Sequence, residues 1–188
     1  MRLRNTKLAY GAIARWIHWS MAIAIIAMFA LGIWMRQLGY YDAWYTKAPD
    51  IHRSVGIVLL VALVIRLVWR LTNPSPSNDQ LPRAERIAAS TTHWIFYVLL
   101  FVLMLAGYLI STADGRSIDV FGLVTVPSMY EQKGLEQLAG IAHEYLAYAL
   151  MALVAVHAIA ALKHHFIDKD KTLTRMWRAI DQPKSSIP

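Results

Sequence analysis

Two histidines, His143 and His157, stand fourteen residues apart in one long apolar stretch. At about 100° per residue, fourteen steps fall roughly 40° short of four helical turns. Both imidazoles therefore leave nearly the same helix face, about 21 Å apart along the axis. Imidazole is costly in hydrocarbon, and an ionisable residue inside a membrane span marks function by default. His18 and His52 lie near the starts of two other apolar stretches. Four histidines at two depths point to two metal centres stacked across a membrane. Structural zinc usually takes four protein ligands, and each depth here offers two. Two opposed imidazoles suit the axial positions of haem iron instead. With both axial positions filled, no open site remains for O₂, and electron transfer is the natural role. A lone histidine in a span also serves as a plain helix–helix hydrogen bond; the matching of four by depth is what favours ligation.

The elements that must position these side chains are helices. The chain has 188 residues, 57% of them hydrophobic, and a mean hydropathy of +0.38. Met21 to Met35 holds no polar side chain, Trp94 to Ile110 only two tyrosine hydroxyls, and Val55 to Trp69 the single charge of Arg66. About twenty apolar residues cross the hydrocarbon as a helix. Four spans are expected at about 14–36, 50–71, 90–112 and 139–163. The runs are too long for barrel strands and do not alternate, so an all-α, up-down four-helix bundle embedded in the membrane follows. Arg2, Arg4 and Lys7 precede the first span, as in a secretory signal. That span is too long for a signal core and lacks a small-residue cleavage site, so it is expected to be retained.

The net charge of +7 is not a nucleic-acid signature, because its distribution has a simpler cause. Arg2, Arg4, Lys7 and Arg15 lie at the amino end; Arg66, Arg70, Arg83 and Arg86 flank the second connection; Lys163, Lys169, Lys171, Arg175 and Arg178 follow the last span. The other two loops carry Lys47, Arg116 and Lys133 among Asp42, Asp50, Asp114, Asp119, Glu131 and Glu136. The positive-inside rule puts both termini and the middle loop in the cytoplasm. His52 and His143 then share the outer level, and His18 and His157 the inner one. The chain has no cysteine, which removes disulfides, thiolate metal sites, iron–sulfur clusters and covalent haem attachment.

Residues 72–86 form a polar connector broken by Pro74, Pro76 and Pro82. Residues 113–137 form the longest loop, with a turn at Asp114-Gly115 and a break at Pro127. Phe121, Val124, Val126, Met129 and Tyr130 make it apolar enough to cap the outer end of the bundle or lie at the interface. After Asp168, Leu173, Met176 and Trp177 recur at helical spacing, as in a cytoplasmic surface helix. Residues 1–180 read as one transmembrane domain and 181–188 as a disordered tail. Trp16, Trp19, Trp34, Trp44, Trp69 and Trp94 near span ends read as an aromatic belt.

Supporting residues follow from the same helical arithmetic. Gly56 is four residues after His52, on its face, where a missing side chain permits close haem approach or simple packing. Arg66 is fourteen residues after His52, on that face at the inner level, placed to pair with a haem propionate or to snorkel to the interface. Gly32 and Gly107 read as packing glycines. His93, His164 and His165 sit at the cytoplasmic edge as interfacial residues, with a propionate or quinone contact as the other reading. Glu144, beside His143, either orients a neighbour or reaches water.

The segments RWIHW (Arg15 to Trp19), IHRSVGI (Ile51 to Ile57), VIRLVWR (Val64 to Arg70), STADGRSIDVFG (Ser111 to Gly122), AHE (Ala142 to Glu144) and HAIAALKHHFIDKD (His157 to Asp170) resemble those of the bacterial cytochrome b561 family. TLTRM follows the last of these, and the resemblance runs from about residue 10 to 178. It implies two non-covalent b haems with His18, His52, His143 and His157 as axial ligands, and electron exchange with the quinone pool of the bacterial inner membrane. One branch of the family takes electrons from superoxide outside and delivers them to ubiquinone. Lys47, Arg53, Arg116 and Lys133 are candidates for steering such an anion. Two other functions compete: a membrane anchor and electron relay for a dehydrogenase or periplasmic redox partner, with the 113–137 loop as docking surface, and a non-redox membrane protein binding quinone or isoprenoid.

Overall fold

The computed structural model describes residues 2–77 and 79–178; the tail expected at 181–188 lies outside them. Four helices are long and apolar enough to cross a membrane: α1 (Ala12–Met35), α2 (Lys47–Thr72), α3 (Arg83–Thr112) and α4 (Leu135–Phe166). The protein is a multi-pass membrane protein built as a four-helix bundle. Each helix stops for a local reason. α2 ends at Thr72 because Asn73 precedes Pro74 and is held out of the α region; the Asn73 amide still donates to the Trp69 carbonyl at 2.8 Å. α4 starts after Gly134, whose φ of 89° is left-handed backbone.

The helices outrun the expected spans, most of all at the start of α3. Hydropathy places that span at 90, yet the helix begins at Arg83. Residues 83–89 add almost no hydropathy, so a transfer-based reading misses them. Pro82, which fits only at a helix start, marks the true boundary.

α1 packs along α2, α2 along α3, and α3 along α4, whereas α4 does not pack closely along α1 or α2. The middle of the bundle is an apolar layer of Met21, Leu59, Leu63, Leu100 and Leu150, with Phe96 and Met28 against it. Leu150 lies seven residues from both His143 and His157, so this layer separates the two histidine levels.

The bundle carries one departure from an all-α fold. Inside the long loop, β1 (Ile118–Val120) pairs antiparallel with β2 (Val124–Val126), Ile118 opposite Val126 and Val120 opposite Val124. Three residues, Phe121 to Leu123, join the paired Val120 and Val124; Phe121 and Gly122 turn the chain with left-handed φ of 56° and 71°, and the Leu123 amide donates to the Val120 carbonyl at 3.0 Å. β2 ends immediately before Pro127, which cannot donate to a ladder. Ile118 and Val120 are buried and β1 packs on α2, so the loop does cap the bundle. Side chains tie it down. The Ser54 hydroxyl donates to the Asp119 carbonyl at 3.2 Å, and that of Tyr108 to the Pro127 carbonyl at 2.8 Å.

At the opposite end α5 (Thr172–Trp177) folds back on α1. The Trp19 indole N–H donates to the Met176 carbonyl at 3.0 Å, and the Trp19 and Trp177 rings meet edge-on at 5.2 Å. The amino-terminal segment closes the same end: Asn5 Nδ2 donates to the Asn73 carbonyl at 3.0 Å.

Candidate functional site

The fold brings the four histidines together in two cross-helix pairs. His52 of α2 faces His143 of α4 with ring centroids 6.2 Å apart. His18 of α1 faces His157 of α4 at 6.4 Å. Imidazole–metal bonds are about 2 Å long and a ring centre lies about 1 Å from its nitrogens, so imidazoles on opposite sides of one metal atom have centroids about 6 Å apart. Both pairs have that separation. In each, α4 meets a helix along which it does not pack, so the rings rather than the backbones bridge the bundle.

The pair nearer the hairpin, called outer after the expected topology, rests on backbone. His143 Nδ1 is 2.9 Å from the Leu103 carbonyl. A carbonyl only accepts, so Nδ1 carries the proton and the Nε2 lone pair is left for a metal, the usual arrangement behind a ligating imidazole. Two glycines floor this level. A Cβ on Gly107 would come within 3.0 and 3.1 Å of the His143 ring, and one on Gly32 within 3.4 Å of His52. Both residues read in the sequence as packing glycines. In the structure they let the imidazoles lie close against a neighbouring helix. No spacing rule reveals this, since the ring each glycine meets belongs to another helix. Beside Gly56 a Cβ would meet nothing within 4 Å, so the space along that face next to His52 is open. The Nδ1 of His52 is buried without a hydrogen-bond partner among the described residues.

The inner pair rests on side chains. Arg66 lies at this level, as the helical arithmetic expects, with its guanidinium 2.9 Å from His18 Nδ1. His93 is not at the edge but half-buried, with its ring 5.9 Å from His157. Phe96 and Trp19 complete the surround, at 5.4 Å from His157 and 5.3 Å from His18.

Outside the membrane segment, His164 Nδ1 is 2.7 Å from Asp170. Burial alone would raise the Asp170 carboxyl, but hydrogen bonds from Thr172 and His164 outweigh it and hold the group below its ordinary value. Glu85, His164 and Asp168 have ligand atoms within 4.8 Å of one another. The Lys163 ammonium already bonds both carboxylates, at 3.1 and 2.7 Å, which makes this a salt-bridge knot linking α3 to the end of α4.

Of the four candidate steering cations, two are committed. Arg53 pairs with Asp50, and Arg116 with Asp114 at 2.7 Å. Lys47 and Lys133 form no ion pair among the described residues. A cavity of about 400 Å³ opens between α2 and the hairpin, lined by Asp50, Arg53, Ser54, Asp119 and Phe121 but not by His52. Glu144 turns away from the ring of its neighbour and pairs with Arg36 of α1.

Known proteins share this organisation. The family model described as prokaryotic cytochrome b561 matches residues 9–179. The chain is 48% identical over 178 residues to cytochrome b561 homolog 2 of Escherichia coli (strain K12), covering 94% of this chain and 95% of that one. It is 30% identical over 170 residues to a protein of Yersinia pestis named "Probable superoxide oxidase CybB", covering 89% and 94%. The chain belongs to the prokaryotic cytochrome b561 family, whose members are transmembrane b-type cytochromes of electron transfer.

Proposed function

We propose that this protein carries two b haems, one between His52 and His143 and one between His18 and His157, and transfers electrons between a donor outside the bacterial inner membrane and the quinone pool. The observation that carries the reading is the pair of imidazole separations, 6.2 and 6.4 Å, at two levels of one bundle. When bound, haem would supply one-electron chemistry, held by His52 and His143 at one level and by His18 and His157 at the other. The chain's own residues do the rest. The Leu103 carbonyl orients His143. The apolar layer around Leu150 keeps water out between the levels. Arginine has only donors, so in its present contact Arg66 bonds the His18 tautomer whose Nε2 is protonated. Ligation through Nε2 requires the opposite tautomer, in which Nδ1 is itself a donor. Arg66 must then turn to another acceptor, and a haem propionate supplies one. Both termini are cytoplasmic on the distribution of Lys and Arg. The quinone, ubiquinone in this reading, meets the chain at the cytoplasmic edge near His93 and His164.

A reduced-minus-oxidised visible spectrum, with haem counted per chain as the pyridine haemochrome, tests this. Two b haems are expected; one or none overturns it, and a colourless protein after haem-sufficient expression favours the non-redox reading.

Superoxide is the donor favoured by the Yersinia relative's name. Lys47 and Lys133 are the cations left to steer it. Haem reduction by superoxide above a control containing superoxide dismutase and catalase, slowing at high salt, is the expected result. No excess over the control excludes it and leaves a protein partner. For such a partner the exposed Phe121, Leu123 and Met129 of the outer cap offer a docking patch, and co-purification of a soluble redox protein would identify it.

A further inference from the structure

Arg15 is the most deeply buried charged residue described, 7% exposed. It lies in the first turn of α1, three residues before His18, so its side chain leaves the same helix face one turn nearer the cytoplasmic end. Its Nε is fully buried and has no hydrogen-bond partner among the described residues. None of the carboxylates that form ion pairs there is its partner, and it has no further contact of that kind. Arginine stays charged in proteins, and a buried charge is retained where an anion meets it. The amino-terminal segment docks over the start of α1: the amides of Ala12 and Ile13 donate to the carbonyls of Arg2 and Leu3 at 3.0 and 3.4 Å. A Cβ on Gly11 would lie 2.2 Å from the Leu3 carbonyl oxygen, so the strap fits only over glycine.

We propose that Arg15 binds a carboxylate of the inner prosthetic group and, with Arg66, forms a two-arginine clamp on the propionates at the His18 level. The proposal rests on the haem reading above. Its chemistry is that of guanidinium and carboxylate, which match as parallel donors and acceptors. Arg66 reaches the level from α2 and Arg15 from α1, so the clamp would lock the strap, α1 and α2 around one ligand. A phospholipid headgroup is the other anion this guanidinium would accept.

The test uses the full-length holoprotein as wild type, R15Q and R15K. Haem loss to apomyoglobin is followed for each level, and the two midpoint potentials are resolved by redox titration. R15Q should lose the inner haem roughly tenfold faster or more, with the inner midpoint potential lowered and the outer unchanged; R15K should lie between. Reconstitution with haem dimethyl ester, which has no carboxylates, should abolish the difference between wild type and R15Q. If R15Q matches wild type while both haems are present, the assignment of Arg15 is overturned and the haem reading stands. If the difference persists with the ester, Arg15 acts on the fold rather than on a carboxylate, and the clamp is overturned. If phosphorus per chain falls in R15Q with haem retention unchanged, the anion is a lipid. Wild type lacking an inner haem overturns both readings at once.

Discussion

The two histidine levels have nearly the same ring separation and almost nothing else in common. The outer pair is held by backbone: a carbonyl from Leu103 behind His143, and glycines at 32 and 107 against the rings. The inner pair is held by other side chains: His93, Phe96 and Trp19 around it, and the guanidinium of Arg66 on His18. One level is tuned by packing and the other by charge. On the two-haem reading, two centres of one ligand type would gain different properties in this way, because the protein's main levers on a haem are orientation, burial and neighbouring charge.

The largest effect expected breaks the comparison at its root. His52→Ala and His143→Ala should each leave one haem per chain, and His18→Ala and His157→Ala should each leave the other. Haemochrome counts with redox titration of the survivor check this. If His18→Ala and His52→Ala remove the same haem, the levels are not separate centres.

A smaller effect separates the glycines. Alanine is favoured over glycine in a helix by about 1 kcal/mol, so only sterics can make these substitutions harmful. At Gly107 the new methyl meets His143 at 3.0 Å, and that ring cannot retreat without stretching its bond to Leu103. Gly107→Ala should speed loss of the outer haem about tenfold and leave the inner one alone. Gly32→Ala, at 3.4 Å, should be close to neutral. A stronger effect at Gly32 would show that His52, not His143, is the rigid member.

The histidine levels are legible in the sequence because helical spacing and span direction are properties of one helix at a time. The glycine floors are not, since their partners are chosen by helix–helix packing. Hydropathy sets His93 too near the surface for a related reason: it reports where hydrocarbon begins, and α3 begins seven residues earlier than the expected span. The hairpin is hidden by its turn. Phe121 sits at a φ of 56° that bulky residues rarely adopt, so Phe-Gly does not announce a hairpin turn as Asn-Gly would. In the sequence Arg15 is one more amino-terminal cation; only the folded strap shows that it is buried.

The closure at the α5 end gives a pH-dependent test. Asp170 has its carboxyl held below the ordinary 3.8. A depressed carboxylate adds stability above its unfolded value, and this is lost as pH falls through the folded value. Asp170→Asn should therefore weaken docking of α5 at neutral pH by about 1 kcal/mol, seen as a change in Trp19 and Trp177 fluorescence at a lower temperature. The variant and wild type should converge in acid, below the ordinary carboxylate range. A gap that persists there would assign the effect to amide packing rather than charge.

The smallest effect sharpens the claim that the outer level is insulated from charge. Glu144 is adjacent to His143 in sequence, yet one residue is about 100° of helix, and its carboxylate faces outward to Arg36. That pair is open to solvent, at 61% and 40% exposure, where ion pairs contribute little and salt screens them. Glu144→Gln should leave haem content and the outer midpoint potential unchanged. Arg66→Gln, which removes a cation at the inner level, should lower the inner potential, because the reduced centre carries the more negative charge and loses its partner. If instead Glu144→Gln moves the outer potential as far as Arg66→Gln moves the inner one, and high salt erases the shift, surface charge reaches both levels. The division between a packed centre and a charged one then fails, and the difference in their surroundings would have to act through solvent access alone.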